Sequence, residues 1–238
     1  MRYLALACDY DNTLAYQGQV DDATVAALTR LRATGRRLLL VTGRILNDLQ
    51  RVFPRIDLFD IVVAENGALL YLPGTRTVRP LGPPPPESFV AALREQDVPD
   101  LTVGRVIVST KRPGDTAVQA AIRELGLDLR VIFNKNDVMV LPPDLDKSTG
   151  LQVALQELEL SPHSMVAVGD AENDQALLHA CACGAAVGNA LPMLKAQADL
   201  VLTGEYGAGV AELIDRLIAT DLQDIPLRRE QPGHTPPG

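Results

Sequence analysis

Only three cysteines, Cys8, Cys181 and Cys183, occur in the 238 residues. An odd number without framework spacing argues against a disulfide-stapled scaffold and points to a reducing compartment. Cys181 and Cys183 lie close together, but no second Cys or His cluster completes the four ligands of a structural zinc site. They read as small buried hydrophobes. No apolar run reaches membrane-spanning length. The start, MRYLALAC, is shaped like a lipoprotein cleavage box, yet its apolar stretch is shorter than that of a signal peptide. The expected location is therefore cytoplasmic. Positive charge is also in deficit, with 22 Lys and Arg against 30 Asp and Glu and a net charge of −8. That balance argues against nucleic acid or a membrane surface as the main partner. A small phosphorylated molecule stays open, because a metal and a few local bases can hold it despite a negative surface. There are no internal repeats.

Apolar residues are plentiful, at 47% of the chain. That is enough for the core of one large domain, or of a medium domain and a small one. Short apolar runs alternate with amphipathic stretches, the pattern of an α/β protein with a parallel sheet. Residues 3–8, 37–41, 60–64 and 165–168 read as strands buried on both faces. Helices are expected over 23–34, capped by Asp21 or Asp22 and ended by Gly35, and over 45–52. A hairpin is expected over 67–80, and the prolines of GPPPP at 82–86 make a stiff connector. Beyond it the pattern restarts on a smaller scale, with helices at 87–96 and 115–125 and strands at 103–109, 129–133 and 137–141. The larger pattern resumes with helix 147–158, helix 173–181, strand 184–187, a short helix near 191–196, strand 199–202 and helix 207–219. The expected organisation is a core of residues 1–81 and 144–219, a small α/β insert at 82–143, and a Pro-rich polar tail at 220–238 that is disordered or leads to a further domain.

Three strands run into polar residues at their carboxyl ends: Asp9-Tyr10-Asp11-Asn12-Thr13, Thr42-Gly43-Arg44 and Gly169-Asp170. Ligands of open α/β sheets bind outside those ends. Asp9 and Asp11, two apart in extended backbone, project to one side. Two close carboxylates push their pKa values apart, which suits a nucleophile and a general acid. The alternative is a pair of turn-capping aspartates. The run GDAEND at 169–174 supplies oxygen ligands of the kind a hard divalent cation takes, though acids also favour a helix N-terminus. Thr42 can offer a hydroxyl and neighbouring N–H groups to a phosphoryl oxygen, or simply cap a turn. Lys147 heads the helix where the chain re-enters the larger pattern.

These stations, DYDNTL, VTGR, Lys147 and GDAEND, resemble the haloacid dehalogenase superfamily in order and spacing over about residues 3–218. The ENGA stretch at 65–68 and the position of the insert are similar to the subgroup with a C2-type (IIB) α/β cap. That group includes Cof-like sugar phosphatases, sucrose-phosphate and mannosyl-3-phosphoglycerate phosphatases, and phosphomannomutases. Asn12 departs from the glycine usual there, and tolerates left-handed backbone better than other side chains. The resemblance implies a Rossmann-like doubly wound parallel sheet with an inserted cap, and phosphomonoester hydrolysis through an aspartyl-phosphate. It implies Asp9 as nucleophile and Asp11 as general acid and base. Mg²⁺ would be held by Asp9, Asp11 through its carbonyl, Asp170 and Asp174, and the phosphoryl group by Thr42, Gly43, Lys147 and Asn173. Substrate contacts are expected from Arg44 and Asn66 on the core side and from Lys111, Arg112, Asn134, Lys135 and Asn136 on the cap. A cap with few aromatics points to a sugar phosphate or a small phosphorylated acid. The competing expectations are a non-catalytic or regulatory binding module of a larger protein, and a phosphomutase.

Overall fold

A computed structural model describes residues 1–223. The chain opens with β1 (Ala5–Cys8), α1 (Asp22–Ala33), β2 (Arg37–Val41), α2 (Leu46–Val52) and β3 (Ile61–Ala64), followed by the hairpin β4 (Leu69–Leu72) and β5 (Thr77–Pro80). A smaller unit comprises α3 (Glu87–Glu95), β6 (Thr102–Val103), β7 (Val108–Lys111), α4 (Asp115–Glu124), β8 (Arg130–Asn134) and β9 (Asp137–Leu141). The first pattern then resumes with α5 (Lys147–Glu157), β10 (Met165–Gly169), α6 (Gln175–Ala180), β11 (Cys183–Ala186), α7 (Pro192–Gln197), β12 (Leu200–Val201) and α8 (Tyr206–Thr220).

The larger sheet has the order β12-β11-β10-β1-β2-β3-β4-β5 and the smaller one β6-β7-β9-β8. Six strands of the larger sheet are parallel, from β12 to β3, and the hairpin β4–β5 adds an antiparallel edge. This is a Rossmann-like α/β fold. Every residue of β1, β3 and β10 is buried, as parallel strands covered on both faces require. β1 lies at the centre, with Ala5 in register with Met165 of β10 on one side and Arg37 of β2 on the other. The carboxyl ends of these three strands therefore lie side by side, and the residues that follow them meet.

Local chemistry fixes where the helices begin. Asp21 caps α1 by accepting from the Thr24 N–H at 2.7 Å. Asp146 caps α5 by accepting from the N–H groups of Ser148 and Thr149, while the Thr149 hydroxyl accepts from the Asp146 N–H at 2.9 Å. Such a reciprocal box contributes about 1 kcal/mol and sets Lys147 as the first residue of its helix. In the smaller unit, Phe89, Leu93, Val108, Val118 and Val140 share an apolar cluster between sheet and helices. No helix among the described residues is long and apolar enough to cross a membrane.

Three expectations are corrected. The run 103–109 is not one strand: β6 ends at Val103 and β7 starts at Val108. The N–H groups of Arg105, Val106 and Ile107 leave the ladder and donate to the carboxylate of Glu65. The helix expected over 173–181 starts as a 3-10 turn at Glu172–Asp174, because the Asp174 carboxylate folds back to accept from the N–H groups of Asp170 and Ala171. The expected tail begins as ordered structure. Asp221 caps α8 in left-handed backbone, and Leu222 is fully buried. The remainder of the tail, from 224, lies outside the described residues.

Asp221 closes the larger unit on itself. Its carboxylate accepts from the N–H groups of Arg2 and Tyr3 and pairs with Arg36 at 2.9 Å. Burial alone would raise its pKa, but these donors outweigh burial and lower it. Asp221→Asn should cost about 1–3 kcal/mol in urea denaturation at neutral pH. A depressed pKa stabilises above the ordinary carboxylate range and loses that contribution as pH falls through the folded value. The gap between wild type and variant should therefore narrow in acid.

Candidate active site

Asp9 follows β1 directly and is held there by its N–H, which donates to the Val168 carbonyl at 3.0 Å. Only 5% of Asp9 is exposed. The Lys147 ammonium, 1% exposed, donates to Asp9 Oδ1 and to Asp174 Oδ1, both at 2.6 Å. Asp170 follows β10, with the Thr13 hydroxyl donating to its Oδ1 at 3.4 Å and the Lys135 ammonium to its Oδ2 at 2.5 Å. Carboxylate oxygens of Asp9, Asp170 and Asp174 lie within 4.8 Å of one another.

This concentration of charge has a visible electrostatic consequence. Burial and the neighbouring Asp174 push the pKa of Asp9 well up, and Lys147 opposes them. Burial also raises Asp170, against the bond from Lys135. Burial would lower Lys147, but Asp174 and Asp9 more than reverse this and keep the ammonium protonated. Three buried carboxylates share two ammonium groups, Lys147 and the partly exposed Lys135, and negative charge is left uncompensated. An all-oxygen donor set of that charge fits a hard divalent cation.

Asp11 lies two residues on, where the backbone turns with Asn12 in the left-handed region at φ 60°. Arg44 grips the Asp11 carboxylate with two bonds of 2.7 Å, donates to Asp48 at 2.5 Å and lies over the Tyr10 ring. Tyr10 itself is fully buried against Phe53. Thr42, also buried, accepts the Arg44 N–H at its hydroxyl oxygen, which leaves its own proton available to donate. The expected residues Asp9, Asp11, Gly43, Arg44, Lys111, Asn134 and Lys135 line one cavity of about 810 Å³ between the two sheets.

Two expected substrate residues are placed otherwise. Arg112 lies over the Phe133 ring, 4.7 Å from its centre, satisfied by the aromatic face of its own sheet. Asn66 is buried, and its amide oxygen accepts from Asn173 at 3.1 Å. That bond uses one of the two protons of the Asn173 amide group. Sequence reasoning gave Glu65 no role, although an acid immediately after an apolar strand was a signal. Asp48 and Asp137 also line the cavity unforeseen, and burial raises Asp137.

The sequence model of the haloacid dehalogenase-like hydrolases matches residues 6–97 and 86–214. The chain belongs to that family. Among curated relatives of this hydrolase is the phosphoglycolate phosphatase of Methanothermobacter thermautotrophicus, 29% identical over 222 residues that cover 90% of the chain and 98% of that protein. Among solved structures, Thermoplasma acidophilum 0175 shares the fold at a TM-score of 0.76 and 16% identity, covering 92% of the chain and 99% of its own. A sugar phosphatase of HAD subclass IIB does so at 0.70 and 19%, covering 90% and 98%. The hydrolase is a phosphatase of the haloacid dehalogenase superfamily.

Removing the central ammonium tests the electrostatics without reference to activity. Lys147→Met should destabilise the hydrolase by about 3–5 kcal/mol, because it strands buried carboxylates. The folded variant would hold protons that the unfolded chain gives up, so its stability should fall as pH rises above the ordinary carboxylate range. Urea midpoints of both proteins across the acid range check the size and the sign.

Proposed function

We propose that this phosphatase is a Mg²⁺-dependent phosphomonoesterase that acts on a small phosphorylated metabolite, preferably a phosphorylated acid, through an aspartyl-phosphate. The carrying observation is the meeting of Asp9, Asp170, Asp174 and Lys147 at the ends of adjacent parallel strands, with Asp11 on the same cavity wall as Asp9. Asp9, Asp170 and Asp174, with the main-chain carbonyl of Asp11, would hold Mg²⁺, which when bound offsets negative charge on the phosphoryl group.

The residues of the chain supply the rest. An Asp9 oxygen attacks phosphorus, the bond to the leaving oxygen breaks, and that oxygen takes a proton from Asp11. Water then attacks phosphorus, gives its proton to Asp11 and releases Asp9 with inorganic phosphate. Arg44, through its two bonds to the Asp11 carboxyl group, orients that group on the cavity wall. Lys147 and the free proton of Thr42 face the charge of the phosphoryl oxygens, since positioning and electrostatics dominate this reaction.

The smaller α/β unit, residues 82–143, acts as a cap on a core of residues 1–81 and 144–219, and keeps bulk water out of the cavity. Lys111 on the cap side gives that cavity a cation for a second anionic group on the substrate. The phosphoglycolate phosphatase relative supports a small acid in that role. We place the enzyme in the cytoplasm, with no nucleic acid or membrane partner.

Phosphate release from a panel of phosphoglycolate, sugar phosphates, nucleotides and an aryl phosphate tests this reading, with and without a chelator. Wild type should require Mg²⁺ and prefer phosphoglycolate, and Asp9→Asn should lose about a thousandfold in kcat, or ~4 kcal/mol of barrier. Turnover that survives both Asp9→Asn and the chelator would overturn the mechanism. A clear preference for nucleotides would overturn the substrate class.

A further inference from the structure

Glu65 is buried to 1% exposure and, among the described residues, forms no ion pair. A carboxylate in that setting needs several donors. It finds them across the gap between the two sheets. Glu65 Oε1 accepts from the Arg105 N–H at 2.9 Å, and Oε2 from those of Val106 at 2.8 Å and Ile107 at 3.0 Å. Successive backbone N–H groups turned to one point make an anion-binding concavity, here filled by a side chain from the other unit. Gly104 belongs to the same arrangement, since a Cβ there would lie 2.7 Å from the Glu65 carboxyl carbon.

The backbone that aims Glu65 is costly. Glu65 and Asn66 are both left-handed, at φ 53° and 54°. Left-handed backbone crowds the Cβ of a residue with a side chain, and asparagine tolerates it better than glutamate. Such strain persists only where the surroundings over-determine it. They do so here: the Glu65 N–H donates to the Arg44 carbonyl and the Asn66 N–H to the Thr42 carbonyl, both at 2.9 Å. The strained turn is thus clamped to the loop that carries Thr42 and the Arg44 grip on Asp11.

On the far side, Val106 and Ile107 pack with Ala68, Leu141 and Leu145 in one apolar cluster, where the chain leaves the smaller sheet for the larger. Beyond the held loop, β7 runs on to Ser109, Thr110 and Lys111 on the cavity wall. Residues 105–107 are thus joined directly to that wall through β7.

We propose that Glu65 is a positioning residue: its carboxylate pins the pivot of the cap and aligns it with the Thr42–Arg44 loop. The proposal rests on the reading of the smaller unit as a cap. Its consequence is that substrate selection by the cap and the set of Asp11 by Arg44 share one alignment.

Glu65→Gln, nearly the same shape, replaces one acceptor oxygen by a donor facing an N–H. Gly104→Ala perturbs the same contact from the cap side with every core residue unchanged. Two readouts are taken on both full-length variants and wild type. Amide hydrogen exchange at residues 105–107 should quicken about ten- to hundredfold, the range expected for hydrogen bonds to a charged group. The preference for phosphoglycolate over an aryl phosphate, as a ratio of kcat/KM, should fall about tenfold, because the aryl ester depends less on cap contacts. A purely structural role would lower Tm and both rates together and leave that ratio unchanged, which would overturn the proposal. Unchanged exchange in both variants would overturn it whatever wild type hydrolyses. If wild type hydrolyses nothing in the panel, the phosphatase mechanism fails on its own, and the exchange arm still decides whether Glu65 pins the loop.

Discussion

The Lys147 ammonium sits between Asp9 and Asp174, out of reach of water, and the rest of the site is arranged around that contact. Burying a carboxylate is expensive, and burying three within a few ångströms of one another is more so. A lysine at an unordered loop tip would add the entropy of fixing its backbone to that of fixing its side chain. Here the ammonium is carried on the first turn of α5, which the Asp146 capping box starts at that residue. The helix is seated in turn by contact with the strained Glu65–Gly67 turn. Gly67, at φ 104°, has the Asp146 carbonyl oxygen 1.8 Å from where a Cβ would stand. No other residue fits there.

That seating joins two halves of the molecule that are far apart in sequence. The parallel order places Asp9, Thr42 and Asp170 at neighbouring strand ends. The turn after β3 receives α5 on one side and extends Glu65 to the smaller sheet on the other. The two sheets are therefore tied through the Glu65 carboxylate, while the turn between β8 and β9 reaches the acids, where Lys135 bonds to Asp170.

Much of this was legible in the order of residues. Asp9, Thr42, Lys147 and Asp170 stand out because apolar strands end abruptly in polar groups, and parallel topology makes strand ends converge. Asn12 could be expected to turn left-handed, and it does. Contacts between distant segments were not legible. The run 103–109 has strand composition, but its amides are claimed by an acid forty residues earlier. Arg112, expected as a substrate contact, lies over the Phe133 ring, a neighbour that sequence order does not show. A polar, Pro-rich composition made residue 221 part of a tail, and only Arg36 and the first residues of the chain show why it is held.

The central claim is that phosphorus passes through a covalent bond to Asp9, and one measurement addresses it directly. Asp11→Asn would be mixed with an aryl phosphate and Mg²⁺, quenched in acid and digested, and the peptides weighed. An aryl leaving group departs without a proton, so the first step proceeds, whereas hydrolysis of the intermediate lacks its base and stalls. The account predicts a phosphoryl group on the peptide that contains Asp9, absent when Asp9 is also changed to Asn. Turnover with no phosphorylated peptide, or with the phosphoryl group on another residue, would contradict it.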